Sequence, residues 1–393
     1  MKPRAVTGLG VVSAVGVGKE SFFLALSEAA PLAKAPQRPI ESFDATNYPN
    51  AQSTVYEVPG FDPTKYLGDK GLRTLDRLTK LLVVAARLAM HDSGFKRDGV
   101  YVQSSPECVG ICCSNAYGSL EAITELDRVA QLEDARYINP AKFPNTVSNS
   151  ASGYASIWED LRALNVSVSD GNCGALDAVA CADIYLETRR ADALLVGGAE
   201  AMSEALYLAF RRLGVIGKGT RLGEGTRLGE GSALLVLEPL EHARARKASV
   251  RAEVIGYGTA FHGPEGEEQL IFASETAMES AIRTAIADAG VEAADICVVA
   301  SSVSGIKAHD DAEVAAISRV LGDVPIAAPK SVLGETLGAG GAMGMAAALA
   351  WFGGALPSPI VAGRAPREVR TVLVTSIGYY GNASAVVMRA PRA

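Results

Sequence analysis

Aromatic bulk is scarce in this sequence. Two Trp and 10 Phe stand against 40 Gly in a chain that is 48% hydrophobic. That composition excludes disorder and suits tight packing of α/β layers. Long apolar runs are missing as well: no stretch reaches the roughly 18 residues of a transmembrane helix, so no membrane insertion is expected. Basic residues are not in excess, and the net charge of −7 argues against a nucleic-acid partner. The six Cys (108, 112, 113, 173, 181 and 297) include no Cys-x-x-Cys pair. This removes the usual zinc and redox motifs and points to buried free thiols in a reducing compartment. No metal and no cofactor are expected. The opening MKPRAVTGLGVVSAVG has no apolar h-region and no small-residue cleavage site, so no signal peptide is expected and the predicted location is cytoplasmic.

What is present is a repeated alternation of strand and helix. The 393 residues are too many for one ordinary core, and two similar α/β halves are expected, 1–245 and 246–393. In the first half, Ala5–Val12, Cys108–Ser114, Val166–Val168, Ala193–Gly197 and Ala233–Leu237 read as strands. Arg77–Ser93 and Ala175–Thr188 read as helices. The second half repeats the plan, with strands at Ile296–Ser301, Val324–Ala327, Thr371–Ser376 and Ala385–Met388. Its helices are expected from about Ala312 to Leu321 and over Gly341–Phe352. CVGICCSNAYGSLEA corresponds to CVVASSVSGIKAHDD, and VSVSDGNCGALDAV to VPIAAPKSVLGETLGA. Two copies of an alternating β/α unit imply a five-layered sandwich with central helices between two mixed sheets. A tandem TRLGEG, Thr220–Gly225 and Thr226–Gly231, reads as a Gly-rich surface loop that re-aims the chain into the next strand.

Three blocks carry chemistry. In NVSVSDGNCGALDAV a short strand ends in a Gly-containing turn before a helix. This presents a side chain at a helix N-terminus, where a thiolate or oxyanion is stabilised. VVASSVSGIKAHDDAE and PKSVLGETLGAGGAMG are strand-to-loop segments. Together with GGAE at 197–200, GEGSALLVLEPLEHARAR and SIGYYGNASAVV, these blocks resemble the β-ketoacyl-acyl-carrier-protein synthase (ketosynthase) family. The resemblance implies the thiolase-like fold: two duplicated βαβαβαββ halves in an αβαβα sandwich. It also implies decarboxylating Claisen condensation by a Cys and two His.

Aligned on that family, the three slots hold other residues. Counting back without a gap from Gly197-Gly198-Ala199-Glu200 puts Asn172 at the nucleophile. Asp310-Asp311-Ala312-Glu313 anchors Ser302 at the first His, and Glu335 replaces the second in Lys-Ser-x-x-Gly-His. Lys330, which supports the catalytic groups in the family, is placed to neutralise Glu335. A one-residue slip would make Cys173 the nucleophile, although the next side chain on a nascent helix points roughly 100° away. His309 is the only nearby imidazole to stand in for a lost one. Tyr379 and Tyr380 replace Phe-Gly in the family's gating loop. Tyr117 and Phe143 are candidates for tunnel-facing residues that set product length, with ordinary core packing as their alternative.

The pattern resembles chain-length factors, ketosynthase-like subunits that have lost the nucleophile. The resemblance implies a heterodimer with an active ketosynthase joined through Val166, Ser167 and Val168, and an acyl carrier protein that brings acyl and malonyl chains. The product would be a polyketide or polyene. A divergent active synthase using Cys173 is the alternative, and an acyltransferase with Glu335 as general base is a third reading.

Overall fold

The computed structural model describes residues 1–28, 39–217, 223–264, 266 and 271–392. The two halves repeat one strand order. In the N-terminal copy it runs Asn165–Val168, Val109–Ser114, Ala193–Glu200, Gly231–Pro239, Arg4–Ser13. In the C-terminal copy it runs Ile326–Ala327, Val298–Ala300, Thr371–Ile377, Asn382–Arg389, Ala252–Phe261. Each copy begins with three parallel strands and continues antiparallel. The duplication reaches single residues. A Cβ on Gly10 would lie 1.9 Å from the Ala85 carbonyl oxygen, and one on Gly258 would lie 2.2 Å from that of Ala281. In both halves a helix backbone, Arg77–Asp92 or Glu275–Ala289, is pressed onto a side-chain-free strand position, an approach only Gly allows.

Two sheets were expected, and the structure differs in one respect. Arg4–Val6 pairs antiparallel with Ala252–Val254, so the copies join into one twelve-stranded sheet completed by Gly16–Val17 and Ile360–Ala362. The joint is short because both strands shift register just beyond it, between Val6 and Gly8 and between Val254 and Gly256, and then diverge. The central layer holds two helices, Gly174–Glu187 and Gly340–Phe352. The second is buried from Gly340 to Trp351, so its small-residue, non-periodic sequence suits a position between layers. Arg77–Asp92 with Ser150–Glu159 and Glu275–Ala289 with Lys307–Leu321 form the outer layers. The core clusters follow this layering.

The helix expected from about Ala312 begins at Lys307, because Asp310 accepts the Ser304 and Gly305 N–H groups and pins the entering loop. Thr220–Leu222 of the tandem lie outside the described residues. The second copy is not a surface loop: Thr226–Glu230 are buried. Glu230 accepts two bonds from the Arg77 guanidinium, at 2.6 and 2.8 Å, and others from Val58 N–H and Met202 N–H. Cys112, Cys113 and Cys173 are buried and Cys108, Cys181 and Cys297 half-buried, all unpaired. Among the described residues no helix is long and apolar enough to cross a membrane.

Candidate functional site

The strand Asn165–Val168 leads into a tight turn, Gly171–Cys173, and then the helix Gly174–Glu187. A Cβ at Gly174 would come 2.2 Å from Ser114 Oγ, so any larger residue there must displace the Ser114 hydroxyl. Asn172 is buried at this elbow. Its Nδ2 lies 3.5 Å from the Ile377 carbonyl, and its own carbonyl accepts from Ser376 Oγ at 2.7 Å. Its Oδ1 has no hydrogen-bond partner among the described residues.

Cys173 meets the same strand one residue earlier. Its Sγ lies 3.3 Å from the Ser376 carbonyl. Burial, reinforced by the Asp177 and Asp170 carboxylates, pushes the thiol pKa well up. A buried thiol held protonated is a poor nucleophile. Native Cys173 is therefore expected to escape maleimide while Cys108, Cys181 and Cys297 react, and to label only after denaturation. Peptide mapping of the labelled chain checks this; rapid native labelling of Cys173 would contradict it.

Ser302 follows the strand Val298–Ala300. Its Oγ donates to Glu313 Oε2 at 2.8 Å and accepts from Ile377 N–H at 3.0 Å. Glu313 also takes Thr375 Oγ1 at 2.5 Å and Ser302 N–H at 2.9 Å. Burial raises its pKa against these donors. The Ile377 peptide thus bridges Asn172 and Ser302. Glu335 closes the third side and accepts from Lys330 Nζ at 2.8 Å, Leu337 N–H at 2.9 Å and Tyr379 OH at 3.3 Å. Lys330 and Glu335 are both buried; the pair cancels its own charge and leaves no free cation to face an oxyanion.

Three further groups border the cluster. His309, on the first turn of Lys307–Leu321, packs edge-on against Tyr379 with ring centroids 5.0 Å apart. Both its ring nitrogens lack a partner among the described residues. Burial lowers its pKa to about 4, with the Glu335 carboxylate opposing, so the ring is neutral. Glu200 accepts Ala116 N–H at 2.7 Å and Gly338 N–H at 3.2 Å, and burial pushes it up to about 8. Sequence reasoning gave Glu200 and Glu313 no role beyond alignment anchors. The signal available was a carboxylate in otherwise apolar strand or helix context, which requires partners.

Tyr379 is buried and Tyr380 is 53% exposed. With Tyr117, Leu120, Leu206 and Phe210 they line an apolar cavity of about 540 Å³. Phe143 is not among its walls. It is 65% exposed on the Pro140–Thr146 segment, where Pro140 and Pro144 hold a surface turn, so it is not packed in the core. Val166, Ser167 and Val168 lie on the outermost strand of the sheet, paired among the described residues only with Val109–Ser114. Among the described residues no group of three or more His, Cys, Asp or Glu is placed to hold a metal ion.

Two family descriptions match the chain: "Beta-ketoacyl synthase, N-terminal domain" over residues 1–243 and "Beta-ketoacyl synthase, C-terminal domain" over residues 251–357. The Tetracenomycin polyketide synthase ketoacyl synthase alpha subunit of Streptomyces glaucescens is 31% identical over 100% of this chain and 98% of its own length. The 3-oxoacyl-[acyl-carrier-protein] synthase 2 of Coxiella burnetii is 29% identical over 86% of this chain and 83% of its own. Among solved structures, the ishigamide ketosynthase/chain length factor superposes with a TM-score of 0.86 at 26% identity, covering 100% of both chains. Sequence matched in both halves, on a fold that superposes end to end, makes this chain a member of the β-ketoacyl synthase family.

Proposed function

We propose that this chain is the non-catalytic, chain-length-factor-type subunit of a ketosynthase heterodimer that elongates a polyketide or polyene chain on an acyl carrier protein. The observation that carries the reading is the chemistry at the three slots. Asn172 cannot form a thioester. Ser302 spends its hydroxyl on Glu313, and Glu335 is an anion satisfied by Lys330, Leu337 N–H and Tyr379. Condensation needs a thiolate and two groups that stabilise developing negative charge; this cluster has neither. Cys173 does not restore it, because its thiol is buried and held protonated.

The surface supports a partner. Leu132, Tyr137, Phe143, Val147 and Ile157 are all at least half exposed; Ile157 lies on Ser150–Glu159, which packs on the edge strand Asn165–Val168, and Phe143 lies on Pro140–Thr146, which packs on that helix. Such a patch beside an open sheet edge marks a protein interface. In this reading Phe143 points to the partner's tunnel, while Tyr117 faces this chain's own cavity, and the pair sets product length. Replacing Phe143 and Ile157 together by Asp is expected to weaken binding to the active ketosynthase by about 30-fold or more without moving the melting temperature of the isolated chain. Sedimentation of the mixed subunits reads the first effect and thermal unfolding the second. Unchanged heterodimer formation would remove this surface from the account.

A further inference from the structure

The helix Lys307–Leu321 begins without a side-chain cap. Ile306 stands at its N-cap position and supplies no acceptor. The His309 and Asp310 N–H groups turn back to the Ile306 carbonyl, but among the described residues nothing accepts the Lys307 or Ala308 N–H. Both residues are exposed. A helix of 15 residues therefore presents two free donors at the positive end of its dipole, an arrangement that favours an anion.

Lys307 and Ala308 line a cleft of about 500 Å³, whose other walls include Gly214, Gly223, Gly225 and Gly305. Among the described residues no carboxylate lines it, and Lys307 is its one charged side chain. In a chain of net charge −7 that makes a locally positive surface. A Cβ on Gly223 would lie 3.4 Å from Lys307 Cβ and Cγ, so the lysine stem is laid against bare backbone. The acids nearest in sequence face elsewhere. Glu224 is exposed and is not among the walls, and Asp310 accepts the Ser304 and Gly305 N–H groups. Asp311 pairs with Lys307 at 2.5 Å, but both side chains are more than half exposed. Exposed pairs of this kind are weak, so an anion can compete for the ammonium.

His309 is an independent sign of a ligand. It lines the same cleft and is 3% exposed, yet neither ring nitrogen has a partner among the described residues. Buried polar groups are ordinarily paired. Tyr379 packs edge-on against the ring and spends its hydroxyl on Glu335. The imidazole is sealed from bulk water, and the cleft that it lines is the way in for a partner.

We propose that this cleft binds the phosphate group of a small phosphate ester, with the Lys307 ammonium, the Lys307 and Ala308 N–H groups and His309 as its donors. The three terminal oxygens of a phosphate ester can share these donors, whereas a carboxylate offers only two. None of the donors belongs to the slots at Asn172, Ser302 and Glu335. The inference holds whether or not the chain pairs with a ketosynthase.

Phenyl phosphate is the probe, titrated at constant ionic strength and followed by phosphorus NMR line broadening. Saturable binding is expected, and the Lys307 amide resonance of the wild-type chain, labelled at lysine, should move along the same curve. Lys307→Met removes the charge and should weaken binding about 5- to 10-fold. Lys307→Pro removes the N–H as well, at a position where proline suits a helix, and should weaken it further by a similar factor. His309→Phe keeps a ring against Tyr379 and should weaken binding several-fold. Benzoate should compete poorly. Absence of saturable binding, a Lys307 amide that does not move, or benzoate binding as tightly as phenyl phosphate would overturn the proposal. So would unchanged affinity in the Lys307 variants. The wild-type readings need no variant to fold.

Discussion

Asn172→Cys, purified without a partner, yields no condensation product from acyl- and malonyl-carrier protein. The substitution supplies a thiol at the elbow but leaves Ser302 and Glu335 in place. Each missing charge-stabilising donor costs about 10²–10³ in rate, and the missing proton-transfer groups about 10²–10⁴. The combined deficit is on the order of 10⁴-fold or more. Glu335 adds to it, since an anion held by Lys330 at 2.8 Å stands where negative charge would have to develop. A radiolabelled chain-elongation assay decides the matter. Measurable turnover by the single variant would mean that the slots are misassigned, or that His309 supplies the missing imidazole despite a pKa of about 4.

Lys330→Met is expected to destabilise the fold by about 3–5 kcal/mol, because it strands the Glu335 carboxylate in a buried site. Among the described residues Glu335 keeps only Leu337 N–H and Tyr379 OH as donors, and these are neutral. The double substitution Lys330→Met/Glu335→Leu removes both charges and should recover most of that loss, since replacing a buried ion pair by apolar residues is often neutral or favourable. Urea unfolding of the two variants measures both effects, and the non-additivity is the signature of the pair. If Lys330→Met were as stable as the wild type, Glu335 would have to be protonated in the native chain, and the account of a self-cancelling ion pair would fail.

Much of this architecture is legible in one dimension because its physical signals are local. Strand-turn-helix periodicity locates the elbow, and the helix over Arg77–Asp92 follows from Leu78, Leu81, Leu82, Ala85 and Leu88 near one face, the first four buried and Leu88 half-buried. The Gly-rich stretch after Lys330 announces close packing of helix on sheet. The Lys330–Glu335 contact is also inferable, because Gly334 between them lets the chain fold back over five residues. What escaped has non-local causes. The three-residue joint depends on how two strands distant in sequence happen to meet, with Arg4 opposite Val254. His309 joins the cluster only because its helix begins a turn early, tied by Asp310 to Ser304 and Gly305. The burial of Thr226–Glu230 turns on a partner far upstream, Arg77, that no repeat pattern can reveal. Phe143 sits at the surface, and hydrophobicity alone does not separate a core residue from one on a surface that awaits another chain.

Intact-protein mass spectrometry tests the central claim most directly. The chain would be co-expressed with an active ketosynthase and incubated with acyl-carrier protein before the subunits are weighed. The account predicts a co-purifying heterodimer in which the partner gains the acyl mass and this chain remains unmodified. An acyl adduct on this chain, mapped to Cys173, would show instead that it is a working synthase with its nucleophile one residue beyond Asn172.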